Sequence, residues 1–342
     1  MKKSEPRGFA RLIGQDEAKA RLKEALEKPG ASFHLLTGPA GSGKRLAAKL
    51  FAKALLCERP DSDGACDVCR SCQLFDAGTH VDYRELVSDN KGLIPTADVR
   101  EAIADLHTAP RLGDRQVISI DGEQLNEQGQ NALLKSLETP PSFVAFIMTA
   151  ASEQMLLPTV RSRAVKIRLT NRTSEELDAI LLLHGVRDVT ERERAVAYAD
   201  GNPGRALTLV ADEAYPELRE TALQLFFRLP TRRLADLLTE DAGILKRYKD
   251  AGGSRLFALI EVWGEQIRDA LVMISGKDPR DSTENERLSH FVSDVLKRED
   301  AALRLARCQT ALIEMKRALG AHGSVDTVLA HTLLTLRKEL HV

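Results

Sequence analysis

The stretch Phe33-His-Leu-Leu-Thr-Gly38-Pro-Ala-Gly41-Ser-Gly43-Lys44-Arg45 decides the fold, because it predicts a buried strand, a glycine-rich turn and the start of a helix. Glycines let successive backbone N–H groups curl around phosphate oxygens. The helix that follows presents its positive end, and the lysine adds a charge. Gly38, Gly41, Gly43 and Lys44 are therefore candidate nucleotide ligands, and a glycine-rich turn without any ligand is the alternative.

The last position of this loop and the end of a later strand both depart from the hydrolytic pattern. Arg45 stands where a Ser or Thr hydroxyl normally coordinates magnesium, and a guanidinium has no oxygen to offer. Asp121 ends a predicted strand and could hold magnesium through water, or could cap the next helix. ATP-hydrolysing proteins with such a loop and strand carry a glutamate directly after this aspartate. Here that residue is Gly122, while Glu123 lies one position too far, on a different face of the chain. Arg45 and Asp121 remain candidate ligands, ATP and magnesium binding stays open, and we expect no intrinsic ATP hydrolysis.

Short apolar runs alternate with helical patterns from residue 33 to residue 169, which predicts a mostly parallel sheet flanked by helices. The predicted strands are Phe33–Thr37, Val81–Val87, Gln116–Asp121, Val144–Thr149 and Val165–Leu169. Beyond Leu169 the pattern is helical. Thr173-Ser-Glu-Glu176, in which acidic residues follow Ser174 in the first turn, suggests a capped helix start. The fold class is thus α/β plus all-α. We predict a P-loop sheet domain over 1–168, a small helical lid over 169–210 and a helical domain over 211–342.

Four of the five cysteines follow the spacing Cys57-x8-Cys66-x2-Cys69-x2-Cys72. Four thiolates so arranged can surround one Zn²⁺ tetrahedrally, since two-residue spacing lets a tight turn aim two sulfurs at one point. A redox Cys-x-x-Cys pair and an iron–sulfur cluster are the alternatives. Four clustered cysteines argue against the first, and the missing ferredoxin spacing argues against the second. We predict a structural zinc site, and expect Cys308 to be a small buried hydrophobe.

The composition excludes several classes of protein. Of 342 residues, 43% are apolar and 29% charged, which excludes a collagen, an extended disordered chain and a disulfide miniprotein. The formal net charge of -1 provides no bulk attraction to nucleic acid or to an anionic membrane, so any DNA contact must be local. The sequence has neither a signal-peptide apolar region nor a membrane-length apolar run, and we expect a cytoplasmic protein.

A phosphate loop followed at once by a four-cysteine module resembles the AAA+ clamp-loader subunits of bacterial DNA polymerase III. Roughly residues 10 to 210 carry the resemblance, and the helical remainder would be the collar through which these subunits form a pentameric ring. Five further strings support it: Ile13-Gly14-Gln15, Asn131-Ala-Leu-Leu-Lys-Ser-Leu-Glu-Thr-Pro-Pro141, Phe146-Ile-Met-Thr149, Thr159-Val-Arg-Ser-Arg163-Ala164 and Gly201-Asn-Pro-Gly-Arg205.

Within this family, the positions at which the sequence departs from the hydrolysing pattern distinguish two branches. Arg45, Gly122 and the string Gly8-Phe-Ala-Arg-Leu12 differ from the ATP-hydrolysing tau/gamma branch and resemble the delta-prime branch, which does not power the cycle. Ala164 stands where the family usually has Cys. Lys44 is retained, although some delta-prime proteins have lost the phosphate loop.

The resemblance implies residue roles and partners. Thr149 would be the sensor 1 residue and Arg205 the sensor 2 residue of the nucleotide site. Arg163 would be an arginine finger that acts in trans on the ATP of a neighbouring subunit; a surface or ion-paired arginine is the alternative. The implied partners are the tau/gamma and delta subunits, the sliding clamp and primer-template DNA. Arg100, in a helix starting at Thr96, is a candidate DNA contact or part of a solvated helix face.

Rival functions stay open at this point. The chain could be the tau/gamma motor subunit or a stand-alone AAA+ ATPase, in which case the purified protein should hydrolyse ATP by itself. It could also be a zinc-dependent adaptor unrelated to replication, in which case it will not assemble with motor and clamp-opening subunits.

Overall fold

The computed structural model describes residues 6–27, 33–88, 92–212, 214–249, 254–276, 285–295, 300–320 and 324–341. The chain divides into two compact units, Met1–Val210 and Ala211–Val342. The finer division between a sheet domain and a lid at residue 168 stays a prediction.

A five-stranded parallel sheet forms the centre of the first unit, in the strand order β2-β3-β4-β1-β5. Its strands are β1 (Phe33–Thr37), β2 (Tyr83–Leu86), β3 (Gln116–Asp121), β4 (Val144–Ala150) and β5 (Val165–Arg168). The predicted parallel α/β fold is therefore confirmed. The second strand is shorter than the predicted Val81–Val87, because Asp82 turns aside and its carboxylate accepts the backbone N–H groups of Arg111 and Leu112, both at 2.8 Å.

Helices cover both faces of this sheet. The helices up to the end of β5 are α1 (Asp16–Glu27), α2 (Lys44–Leu56), α3 (Arg70–Asp76), α4 (Thr96–Ala104), α5 (Glu127–Glu138) and α6 (Pro158–Arg161). Three more follow β5: α7 (Ser174–Leu183), α8 (Val189–Ala199) and α9 (Pro203–Ala211). Leu36 of β1 packs into the core beneath α1 and α2, while Leu35 packs into the core on the α4 and α5 side. This alternation along β1 is what a strand buried on both faces requires.

Helix α7 begins with a full capping box. Thr173 is the cap residue: the Thr173 hydroxyl accepts the N–H of Glu176, and the Glu176 carboxylate accepts the N–H of Thr173. The capping pattern predicted for Thr173-Ser-Glu-Glu176 is therefore confirmed.

His34 is a polar residue inside the first core. It is 2% exposed, its ring lies edge-on to Phe51 with a centroid separation of 4.9 Å, and neither ring nitrogen has a hydrogen-bond partner. Burial, with Arg115 as a lesser cause, lowers the pKa of His34 to about 4. The ring is therefore neutral in the folded protein at physiological pH.

The second unit is helical, as the sequence pattern indicates. Its helices are α10 (Tyr215–Arg228), α11 (Leu234–Asp236), α12 (Ala242–Arg247), α13 (Ser254–Ile274), α14 (Asn285–Val295), α15 (Ala301–Gly320) and α16 (Val325–Leu340), with a π-helical turn at Leu237–Asp241. Trp263 is fully buried, and its indole N–H donates to the carbonyl of Ala222 at 2.7 Å. Cys308 is buried, as expected for a small apolar side chain. None of the described helices combines the length and apolar character needed to span a bilayer.

Candidate functional site: a phosphate loop with its own ion pairs

The glycine-rich loop adopts the conformation that its sequence demands. Gly41 and Gly43 have φ angles of +79° and +92°, in the left-handed region that favours glycine, and α2 begins directly after them at Lys44. Lys44 is only 8% exposed, and its Nζ lies 2.9 Å from Oε1 of Glu123. The sequence did not indicate this contact. The short 3₁₀ turn Gly122–Gln124 after β3 carries the Glu123 carboxylate to the loop.

Arg45 and Asp121 form the second ion pair of the loop. Nη2 of Arg45 lies 2.5 Å from Oδ2 of Asp121, while Oδ1 of the same carboxylate accepts the N–H of Glu123 at 3.1 Å. Asp121 thus uses one carboxylate oxygen to cap the turn and the other to pair with Arg45. A guanidinium therefore occupies one face of the carboxylate that hydrolysing P-loop enzymes use for magnesium.

Gly122, which directly follows Asp121, has no room for a side chain. A Cβ atom on Gly122 would lie 2.9 Å from the carbonyl oxygen of Thr149 and 3.1 Å from Sδ of Met148. The cause is the parallel register of β3 and β4, which sets Asp121 beside Thr149. Thr149, the predicted sensor 1 residue, is buried at this sheet edge, and with Arg45 and Asp121 it lines a cleft of only about 10 Å³.

The start of helix α9 packs directly on the loop. The N–H of Gly204 donates to the carbonyl of Gly41 at 2.9 Å, and Nδ2 of Asn202 donates to the carbonyl of Ala40 at 2.6 Å. Arg205, the predicted sensor 2 residue, is fixed through its backbone N–H, which donates to Oδ1 of Asn202 at 3.0 Å. The motif Gly201–Arg205 therefore closes over the loop by its backbone and its asparagine.

Arg172 is a residue of this site that sequence reasoning missed. Its guanidinium donates to the carbonyl of Ile13 at 2.6 Å, to that of Thr170 at 2.5 Å and to that of Ser42 at 3.2 Å. Burial lowers the pKa of Arg172. Gln15 joins the same segments, since its amide pairs with the backbone N–H and carbonyl of Thr170 at 3.1 and 2.8 Å. An arginine before a predicted helix resembles any surface cation, so no local signal distinguishes it.

A cavity of about 560 Å³ lies between the loop and the helices α7 and α9, within the range typical of ligand sites. Among the predicted nucleotide ligands, Gly41, Gly43, Lys44 and Arg45 line it. Asp121 and Thr149 line the smaller cleft, and Gly38 lies beneath the loop against the carbonyl of Leu169. The lining of the cavity is Arg11, Leu12, Ile13, Ala40, Gly41, Gly43, Lys44, Arg45, Leu46, Glu123, Arg172, Ile180, Leu183, His184, Pro203, Gly204 and Leu207.

Arg163 lies outside this cavity, just after the short helix α6 that follows β4. Its Nη1 donates to the carbonyl of Thr159 at 2.5 Å, and its Nη2 pairs with Oε1 of Glu138 at the C-terminal end of α5. The two side chains are 32% and 49% exposed. The guanidinium is therefore held in a definite position while staying accessible from outside the chain.

The four clustered cysteines bring their sulfur atoms together, all within 4.8 Å of one another. Sγ of Cys57 and Sγ of Cys69 are 3.9 Å apart, close to the edge of about 3.8 Å that a tetrahedron with zinc–sulfur bonds of about 2.3 Å would have. Backbone N–H groups point at three of the sulfurs; those of Arg59 and Cys66 donate to Cys57 at 3.4 and 3.3 Å. This donor set fits a four-coordinate metal ion.

The surroundings of three of these thiols shift their pKa values in different directions. Burial raises the pKa of Cys57 and that of Cys72, whereas the backbone N–H groups of Val68 and Cys69 lower the pKa of Cys66 to about 6. The lowered pKa favours the thiolate form of Cys66, which is the form that binds a metal ion.

Two side chains, Lys53 and Ser71, make the polar contacts that fix the cysteine segment 57–76 to its surroundings. Lys53 of α2 is buried and bridges two carboxylates of the module, with Nζ 2.5 Å from Asp67 and 2.8 Å from Asp76. The Ser71 hydroxyl donates to the carbonyl of Leu56 at 2.5 Å and lies 2.8 Å from Nε2 of His80. Because Nδ1 of His80 accepts the N–H of Asp82, the proton resides on Nε2 and this serine–histidine pair is structural.

Part of this chain is similar to known proteins. Residues 14–173 match the family described as "DNA polymerase III, delta subunit". The chain is 41% identical over 138 residues to subunit delta' of DNA polymerase III from Pseudomonas aeruginosa, which is 40% of this chain and 42% of that protein. With subunit delta' of Escherichia coli it shares 33% identity over 217 residues, covering 59% of this chain and 64% of the relative.

Residues 14–173 therefore resemble the delta-prime and tau subunits of DNA polymerase III. The tau branch matches as well, since subunit tau of Escherichia coli is 31% identical over 222 residues, 64% of this chain and 32% of that protein. The chain thus spans between about a third and two thirds of the length of these relatives. A gamma subunit-related protein of DNA polymerase III from Thermotoga maritima aligns with 95% of this chain and 100% of its own at 18% identity, with a TM-score of 0.40. A RuvB protein of Thermotoga maritima aligns with 89% of this chain and 91% of its own at 18% identity, with a TM-score of 0.44.

Proposed function

We propose that this protein is a delta-prime subunit of the bacterial DNA polymerase III clamp loader, a member of the ring that does not itself hydrolyse ATP. It would assemble with tau/gamma and delta subunits through its helical second unit. Contact with the sliding clamp and with primer-template DNA would come through the assembled complex, and Arg100 of α4 stays a candidate DNA contact. DNA replication in bacteria places this work in the cytoplasm.

The ion pair between Arg45 and Asp121 carries this proposal, taken together with the family match. A motor subunit needs an oxygen ligand at position 45, a free aspartate for magnesium and a glutamate to polarise the attacking water. Here a guanidinium lies on the aspartate, and position 122 has no space for a glutamate side chain. Two independent features thus oppose hydrolysis.

Arg163 would contribute to catalysis in a neighbouring subunit. A planar and permanently charged guanidinium spreads over the phosphoryl oxygens that gain charge in the transition state, and such fingers contribute ~10³ to 10⁵ in rate. The position of Arg163 supports this role. The side chain is accessible, it is fixed to a carbonyl of the short helix α6 that precedes it, and it is paired with one exposed carboxylate.

The four-cysteine cluster would hold one structural Zn²⁺ through Cys57, Cys66, Cys69 and Cys72. All four positions of a tetrahedral zinc ion would then be filled by protein thiolates, which leaves none for substrate or water. The metal would fix the segment between α2 and α3 and take no part in chemistry.

A second candidate is the ATP-hydrolysing tau/gamma subunit. It is favoured by the match to Escherichia coli tau, which extends over 222 residues, whereas the match to the Pseudomonas delta' subunit extends over 138. Hydrolysis by the purified chain decides between the two.

Reconstitution tests the proposal. The chain, its Lys44→Ala variant and a blank are each mixed with tau/gamma and delta subunits, and complex formation, clamp loading and DNA-stimulated ATPase are measured. We expect a stoichiometric complex that loads clamps with either form of the chain, and no ATPase from the chain alone. ATPase of the isolated chain that disappears with Lys44→Ala would identify it as a motor subunit, and failure to enter the complex would exclude both candidates.

A further inference from the structure

The glycine-rich loop carries the glycines and the lysine of a phosphate loop, but Arg45 stands where such loops have the hydroxyl that binds magnesium. We propose that the cavity between loop and lid binds a nucleoside di- or triphosphate without magnesium, with the guanidinium of Arg45 supplying the positive charge. This deepens the proposed function, on whose identification of residues 38–45 as a phosphate loop it rests, by naming the ligand of a site that does not turn it over.

The positions that a magnesium ion would need are closed. Asp121 has one oxygen engaged by Arg45 at 2.5 Å and the other by the N–H of Glu123 at 3.1 Å. Mg²⁺ requires octahedral oxygen ligands and usually keeps several waters, whereas the cleft beside Asp121 measures about 10 Å³, room for one water at most. Arg45 cannot replace the missing hydroxyl as a metal ligand, because it carries donors only.

The charges around the cavity suit a polyanion that arrives without a metal. Four cationic side chains line it, Arg11, Lys44, Arg45 and Arg172, against the single carboxylate of Glu123. The side chain of Arg45 is 64% exposed, so most of its N–H donors stay open while one binds Asp121. Backbone N–H groups at the start of the 13-residue helix α2 add a further attraction for phosphate.

The rest of the cavity suits a nucleoside. Its volume of about 560 Å³ exceeds what phosphates alone would fill, and several apolar side chains from outside the loop line it. The apolar side chains are contributed by the N-terminal segment and by the lid: Leu12, Ile13, Ile180, Leu183 and Leu207. A flat base can bury its faces among such groups, which inorganic phosphate cannot do.

Calorimetric titration of the full chain with ADP and with ATP tests the proposal, once in EDTA and once in excess Mg²⁺. We expect both nucleotides to bind in EDTA at least as tightly as in Mg²⁺, because the free polyanion carries more negative charge than its magnesium complex. Binding that requires Mg²⁺, or no binding under either condition, would overturn it. Adenosine and tripolyphosphate complete the series. Tripolyphosphate binding as tightly as ATP would overturn the nucleoside half of the proposal, and adenosine binding as tightly as ATP would overturn the phosphate half.

Two variants change the charge in opposite directions. Arg45→Thr should weaken ATP binding in EDTA by about tenfold or more, the usual effect of losing a charge-assisted hydrogen bond, and added Mg²⁺ should then strengthen it. Glu123→Gln should strengthen binding, because a carboxylate leaves the phosphate site. Arg84→Thr is the matched control, a carboxylate-paired arginine outside the cavity lining, and should change nothing. Unchanged affinity with Arg45→Thr would contradict the proposal. Since these titrations need no partner subunit, failure of the chain to join a clamp loader is a separate outcome.

Discussion

The guanidinium of Arg163 is paired with the carboxylate of Glu138, the last residue of helix α5. This helix follows β3 and contains the start of the string Asn131–Pro141. Both partners are partly exposed, and exposed ion pairs contribute only about 0–1 kcal/mol to stability. The pair therefore positions Arg163, but breaking it costs little free energy. A phosphoryl group on a neighbouring subunit carries more negative charge than one carboxylate and would compete well for the same guanidinium.

Removing Glu138 should leave the arginine available. We expect Glu138→Gln to change the melting temperature little and to leave the ATPase of the assembled complex equal to or above that of wild type, since the competitor for Arg163 has lost its charge. Steady-state ATPase of the reconstituted complex measures this. A loss as large as that caused by removing Arg163 itself would instead show that Glu138 is needed to position the finger.

Restoring a glutamate after Asp121 should not restore hydrolysis. Gly122→Glu drives a side chain into the carbonyl of Thr149, which overpacks the core by about 1–3 kcal/mol and leaves Arg45 on the aspartate. We expect a lowered melting temperature and no ATPase. Gly113→Glu provides the control, because a Cβ there meets no atom within 4 Å. A stable, hydrolysing Gly122→Glu protein would refute this explanation of the glycine.

Loss of one cysteine of the cluster should unfold the module. We expect wild-type protein to carry about one tightly held zinc ion per chain, and Cys69→Ser to lose it and at least about 3 kcal/mol of stability, since metal-binding energy is folding energy in such modules. Elemental analysis and thermal melting measure the two effects. Cys308→Ser, a change at a buried cysteine outside the cluster, should keep its zinc. Zinc well below one per chain in wild type would contradict the assignment.

The buried His34 should make the first unit sensitive to acid. Its pKa is about 4 when folded and 6.5 when unfolded, so the unfolded chain binds the proton first and stability is lost as pH falls from 6.5 toward about 4. Linkage gives a loss of about 2 kcal/mol between pH 7 and pH 5 from this group. Melting curves of wild type and His34→Leu at both pH values test it. The variant should lose correspondingly less stability, and equal losses would disprove the linkage.

Local patterns predicted the sheet, the loop and the convergence of the cysteines, because each depends on residues close together in sequence. The strand before Gly38 and the short spacings among Cys66, Cys69 and Cys72 are examples. What the sequence did not reveal depends on contacts between distant segments: the Lys44–Glu123 and Arg163–Glu138 pairs, and Arg172 joining three segments. A single sequence contains the residues of such contacts but not the distances between them.

The most direct test of a non-hydrolysing subunit that acts in trans is the ATPase of the reconstituted complex with Arg163→Ala in this chain alone. The variant should fold, keep its zinc and assemble, because an exposed side chain is removed. The complex should lose ATPase by a large factor, ~10³ if the full finger effect is realised at the neighbouring site, and Arg163→Lys should recover little because an ammonium lacks the planar fork. Wild-type ATPase and clamp loading from a fully assembled Arg163→Ala complex would contradict the trans role.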